Sequence, residues 1–260
     1  MKKGEKRGQV TIFIIIAIII VALAFLIYSF YPQIKSTLGG EEKNPPSYIQ
    51  TCLEDEIKDI ADKLSLQGGS LNPENYILYK DEKIEYLCYT TEYYKPCTVQ
   101  QPALKQHIEL EIKNEIEESV KFCFASLKSS YEKKGYSVDL KSGDRRIELF
   151  PQRIVSTFDY SLTLTKGEDT QSYDSFVVML NNNLYELTAI ASSIIEWETL
   201  YGDSEPQTYM TYYPHLKVER LGDGDGGKVY ILTNRDTGDK LQFAVRSQVW
   251  PAGYATSTII

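Results

Sequence analysis

The sequence predicts an α+β protein: an N-terminal transmembrane helix, a disulfide-tied antiparallel helix pair with a small sheet, then an antiparallel β region with one packed helix. Three observations predict it. Val10 to Tyr31 is one uncharged run. Two later segments repeat apolar residues at spacings of three and four, the period of a helix face. From Tyr136 the period falls to two, the alternation of half-buried strands.

The uncharged run reads VTIFIIIAIIIVALAFLIYSFY. As a helix it would rise about 33 Å, against a hydrocarbon core of about 30 Å. Lys2, Lys3, Lys6 and Arg7 precede it, with Glu5 among them. Excess Lys and Arg stay on the cytoplasmic side. Residues 1–8 are therefore expected to be a cytoplasmic leader, 9–31 to span the cell membrane, and everything after about residue 32 to be extracellular. A secretory signal cut after Ala22-Leu23-Ala24 is the alternative, but it would leave the apolar FLIYSFY as the new start.

Residues 32–46 carry Gly39, Gly40, Pro45 and Pro46 among charges and read as a tether. Residues 47–135 are expected to form a helical subdomain. Ser47 is a candidate N-cap, and Ile49, Leu53, Ile57, Ile60, Ala61 and Leu64 form its first apolar stripe, stopped by Gly68 and Gly69. Ile77 to Tyr79 and Ile84 to Tyr89 read as two strands turned at Lys80 to Lys83. Leu104, Ile108, Ile112, Ile116, Val120, Leu127 and Tyr131 mark a second helix opened by Pro102 and ended by Gly135. Glu109, Glu111, Glu115, Glu117 and Glu118 are expected to form its solvated face.

Residues 136–250 are expected to be a β-rich subdomain with one helix. Tyr136 to Leu140 and Ile147 to Phe150 flank a turn, Ile154 to Thr165 alternates as one run, and Ser175 to Leu180 is a further short strand. Asn181 to Asn183 can cap a helix carrying Leu184, Leu187, Ile190, Ala191, Ile194, Ile195 and Trp197, ended near Gly202. Lys228 to Thr233 and Lys240 to Val245 are two more strands, turned at Asn234 to Asp239. Residues 251–260 are expected to be a flexible tail.

Cys52, Cys88, Cys97 and Cys123 all lie in the part expected outside, where an even count reads as disulfides. Cys52 lies early on the first helix stripe and Cys123 late on the second. Antiparallel packing brings those ends together, so Cys52–Cys123 and Cys88–Cys97 are the expected pairs.

The leader holds four basic residues and one acid of the 28 and 36 in the chain, and the run to Tyr31 holds none. The remainder has 24 and 35, a net charge of −11. That argues against nucleic acid as a partner. No Walker loop, His-Glu-x-x-His or Gly-x-Ser-x-Gly occurs, and His107 and His215 are the only histidines. Gly222 to Gly227 alternates Gly with Asp223 and Asp225 like the start of a calcium loop, but Leu232, Thr233 and Asn234 stand where a bidentate Glu belongs. Neither a metal nor a cofactor is expected, and no catalytic constellation is evident. Tyr86, Tyr89, Tyr93 and Tyr94 are candidates for an interface, since each offers an apolar face and a hydroxyl. Trp197 and Trp250 are expected to be core or edge residues rather than a ligand platform.

The junction Lys6 to Phe13, KRGQVTIF, resembles the class III signal peptide of archaeal type IV pilins and pilin-like surface proteins. The resemblance implies cleavage after Gly8, with Gln9 as the new N-terminus, and self-assembly through the N-terminal helix. At the fifth mature position the family carries a Glu that docks on a neighbour's N-terminus; here that residue is Phe13. The leader, the Cys-bearing helix ending in Gln67-Gly68-Gly69 and the second Cys-bearing helix also resemble surface proteins of small-genome archaea, a likeness that names no activity. The expected role is a single-pass membrane-anchored surface protein, structural or binding, with protein partners at the cell surface. A pilin-like filament subunit and an anchored extracellular enzyme are the alternatives.

Overall fold

A computed structural model describes residues 44–247 and 249, apart from Asp223. The leader, the cleavage site at Gly8 and Gln9, the run to Tyr31, the tether up to residue 43, Trp250 and the tail lie outside the described residues. The described part is α+β, with five helices, mixed sheets and two disulfides.

Helix α1 (Pro45–Leu66) starts two residues before the expected cap at Ser47, because proline fits a helix's first turn. The stripe Ile49, Leu53, Ile57, Ile60, Ala61 and Leu64 is buried at 6% exposure or less. Gly68 and Gly69, at φ 83° and 94°, then reverse the chain. A Cβ at Gly68 would lie 2.9 Å from Glu85 Cβ, so glycine also permits close packing there. Strands β1 (Tyr76–Tyr79) and β2 (Glu82–Tyr89) pair through a tight turn with Lys80 and Asp81 both at positive φ. The short β3 (Thr98–Val99) adds to β2.

The expected second helix is two, α2 (Leu104–Glu115) and α3 (Glu117–Lys133), separated at Ile116. Its glutamates do more than face solvent. Glu109 Oε1 accepts from Leu149 N at 2.8 Å and Glu111 Oε2 from Leu71 N at 3.0 Å, so they satisfy backbone donors of other segments.

Strands β4 (Ser137–Lys141) and β5 (Arg145–Phe150) flank a corner but do not pair. β4 pairs with β7 (Ser161–Lys166), which pairs with β8 (Asp169–Tyr173). β5 pairs with β6 (Arg153–Phe158), which pairs with β9 (Phe176–Asn181). The alternating run 154–165 is thus divided between two sheets. Phe158, Tyr160, Leu162 and Leu164 all stay buried, so alternation marks the inner face but not the partner. The division falls where the β4–β5 corner crosses: Asp159 N donates to Asp144 O, and a Cβ on Gly143 would sit 1.8 Å from Asp159 O.

After β9 come α4 (Leu184–Tyr201), a short α5 (Pro206–Tyr212), then β10 (Leu216–Gly222), β11 (Gly227–Asn234) and β12 (Lys240–Arg246). β3, α5, β8 and β10 are additions to the sequence reading. The largest sheet runs β1-β2-β12-β11-β10, with β3 beside β2, and β2 joins β12 in parallel. That pairing crosses the expected boundary at 135/136, and the described residues from Pro45 onward form one compact unit.

One core extends from the α1 stripe to α4 and the sheets. At its centre Phe124 stacks on Tyr160 at 4.2 Å and meets Phe176 edge-on at 5.0 Å. Helix side chains also blunt a sheet edge. The Gln50 amide both donates to and accepts from the Met179 backbone at 3.0 Å, closing the open side of β9.

Candidate functional site

The α4–α5 corner gathers the densest group of exposed aromatic side chains near a groove. Ser193, Trp197 and Tyr201 recur every four residues, so they share one helix face. Trp197 is 49% exposed, so of the expected core or edge positions it does not take the core one. It meets Tyr201 at 5.0 Å between ring centroids. Gly202 ends α4 in the left-handed conformation at φ 71°, its N–H bonding Glu198 O at 2.9 Å. A Cβ there would lie 1.7 Å from a Val249 methyl. Three residues on, Glu205 caps α5 by accepting from Gln207 N, and Pro206 opens the helix.

Between the helices lies a groove of about 440 Å³, lined by Ser193, Trp197, Ser204, Glu205, Thr208, Tyr209, Tyr212 and Tyr213. Tyr212 and Tyr213 are exposed, while Tyr209 is buried and shares a 3.0 Å hydrogen bond with the Ser193 hydroxyl. Ser204 is 2% exposed, and its hydroxyl has no hydrogen-bond partner among the described residues.

A charge cluster, buried at Glu198 and open to solvent at Asp203, holds the corner. Glu198 is fully buried and receives Lys228 Nζ at 2.9 and 2.7 Å as well as the Tyr230 hydroxyl. Lys228 also bonds Gly202 O at 2.7 Å and Asp203 at 3.1 Å. Arg220 donates to Asp203 at 2.6 Å and to Ser204 O at 2.8 Å. Two acids meet two bases, so no net charge is stranded. Burial, then the Glu198 carboxylate, push the Tyr230 phenol far above its ordinary value, so it stays a donor. The cluster joins the end of α4 to β10 and β11, which gives the groove a fixed wall.

The residues singled out in the sequence fall elsewhere. Cys52 joins Cys123 with Cα atoms 6.1 Å apart, and Cys88 joins Cys97 at 5.3 Å. Tyr86 is 8% exposed and packs with the partly buried Tyr89 in a small cluster with Ile84, Val229 and Ala244. Tyr93 and Tyr94 are exposed, on the loop that the shorter disulfide closes. The structure therefore does not bring these four tyrosines together as one surface. Asp225 faces Arg246 at 3.5 Å, and Asp223 lies outside the described residues. His215 pairs with Asp236 at 2.6 Å on the surface.

His107 is not a solvated surface residue: its Nε2 meets the Ser70 hydroxyl at 2.8 Å, and that hydroxyl also donates to Glu85. A nucleophilic relay places histidine between hydroxyl and carboxylate. Here the hydroxyl stands between the other two and Ser70 is 6% exposed, so the trio fastens the loop after α1 to β2 and α2. Among the described residues, no group of three or more His, Cys, Asp or Glu could hold a metal ion, and no helix is long and apolar enough to cross a membrane. Comparison with protein-family models, curated proteins and solved structures finds no match to this chain.

Proposed function

We propose that this chain is a single-pass membrane-anchored protein whose body lies outside the cell and serves a structural or binding role there. The observation that carries the reading is the uncharged run Val10 to Tyr31 with its basic flank, followed by a body whose four described cysteines are all bridged. Disulfides persist in oxidising places, which agrees with the side that the basic flank assigns. The α4–α5 groove is the face this body offers to a partner. A pilin-like filament subunit is the second reading, favoured by the Lys6 to Gln9 junction and opposed by Phe13.

Protease protection of intact cells tests the first reading. The body should be shaved from the surface while a short N-terminal fragment stays with the membrane. Full protection until the cells are lysed overturns it. N-terminal sequencing separates the two readings' first step: a Gln9 start shows leader processing, and a Met1 or Lys2 start removes the pilin-like reading.

A further inference from the structure

We infer that the groove between α4 and α5 binds a neutral oligosaccharide. The inference rests on the surface-binding reading above and names the ligand class. A sugar ring presents an apolar C–H face and a polar rim of hydroxyls. The groove has the complementary layout. Trp197, Tyr212 and Tyr213 supply exposed ring faces, and the hydroxyls of Ser193, Thr208 and Tyr209 lie beside them.

Size, charge and hydrogen bonding narrow the class. The volume of about 440 Å³ falls within the roughly 300–1,000 Å³ usual for small-ligand sites. Eight lining residues are few beside the roughly 20–30 a side of a stable protein interface. The lining contains no Lys, Arg or His, so phosphorylated or acidic sugars meet no counter-charge. Glu205 accepts from Gln207 N through Oε1, leaving Oε2 as an acceptor at the rim. A sugar hydroxyl can donate to it; the carbonyls of a proline-rich peptide cannot.

The second, independent observation is Ser204. It contributes to the groove wall, is 98% buried at 2% exposure, and its hydroxyl has no partner among the described residues. Buried polar groups are seldom left unpaired; this oxygen is closed to solvent, and a turn about the Ser204 side-chain bond is what brings it to a sugar hydroxyl in the groove. The Glu198 cluster holds the wall in place, so little ordering is needed on binding.

The test uses the full chain in phospholipid nanodiscs, since maltoside detergents carry sugars. Maltohexaose, cellohexaose and chitohexaose are titrated by calorimetry, with decaproline as the rival probe. At least one hexaose should saturate. Trp197→Ala and Tyr212→Ala should each weaken it by about tenfold or more, and Ser204→Ala should weaken it less. Tyr93→Ala should leave it unchanged. Tyr212 is 76% exposed, so its variant keeps the test meaningful if Trp197→Ala folds poorly. The assignment is overturned if no hexaose saturates, if decaproline saturates instead, or if binding survives both aromatic substitutions. Nanodiscs expose both sides of the bilayer. Sugar binding by a body that intact cells protect from protease would therefore refute the surface reading and keep the ligand.

Discussion

Cys52–Cys123 ties α1 to α3, whereas the end of α4 is tied to β11 by a carboxylate, an ammonium and a phenol. The covalent tie acts chiefly by restricting the unfolded chain, in the loop-entropy account, so salt should affect it little. The ionic tie acts in the folded state alone. Its charges have left water, and each depends on the others remaining. One region tolerates changes around its bridge; the other is vulnerable at every member.

Breaking the ionic tie should have the largest effect. Glu198→Leu leaves Lys228 in its 14% exposed position without its main partner, and should cost about 3–5 kcal/mol in chemical denaturation. The double variant Glu198→Leu, Lys228→Met should recover most of that loss. An equal or larger loss in the double variant would mean that packing, not the stranded charge, governs the corner.

The covalent tie comes next. Cys52→Ser with Cys123→Ser opens a separation of 71 residues, and Cys88→Ser with Cys97→Ser opens one of 9. Loop entropy gives about 4 kcal/mol for the first and about 3 for the second. Denaturation midpoints with and without reductant rank the two, and a reversed order would show that the short bridge has a native-state role of its own.

Tyr230→Phe removes a single hydrogen bond from the buried carboxylate. A loss of about 1–3 kcal/mol is expected, visible as a lower melting temperature. No change would mean that Lys228 alone satisfies Glu198.

The smallest effect concerns Glu85, whose carboxyl burial raises above its ordinary 4.5, although the Ser70 hydroxyl opposes this. A carboxyl raised on folding contributes stability that is fully present below its unfolded pKa and is lost as pH rises through the folded one. Glu85→Gln should therefore melt higher than the parent at pH 7, and the gap should close as the pH falls through 4.5. A gap that widens on acidification would show that the ionised form is the one the fold prefers.

How far the sequence carried depended on what its periodicity could report. The α1 stripe was legible because only one of its faces is apolar. Antiparallel packing of two such stripes then gave the partner of Cys52. Strand partners were not legible: the run from Ile154 to Thr165 keeps its inner face while changing sheets, and β8 (DTQSY) has no apolar alternation to mark it. The groove was missed because α4 is apolar on several faces. Ile194 and Ile195 read as core and Trp197 as core or edge, and only folding against β11 and β12 leaves Trp197, Leu200 and Tyr201 outside. A signal was present in Glu198, which unlike Glu196 falls in register with Leu187, Ala191, Ile194 and Ile195 on the apolar face, and so had to find a buried partner.

The parallel join of β2 to β12 has a consequence for how the molecule is made. Thr90 accepts from Arg246 across 156 positions, so the largest sheet cannot close until nearly the whole described chain has been synthesised. Such distant pairings slow folding, and until they form the inner edges of β2 and β11 stand open to other chains. A nascent chain stalled before Lys240 would therefore be an aggregation hazard, and prompt delivery of the last strand matters as much to this protein as the strength of any contact it makes.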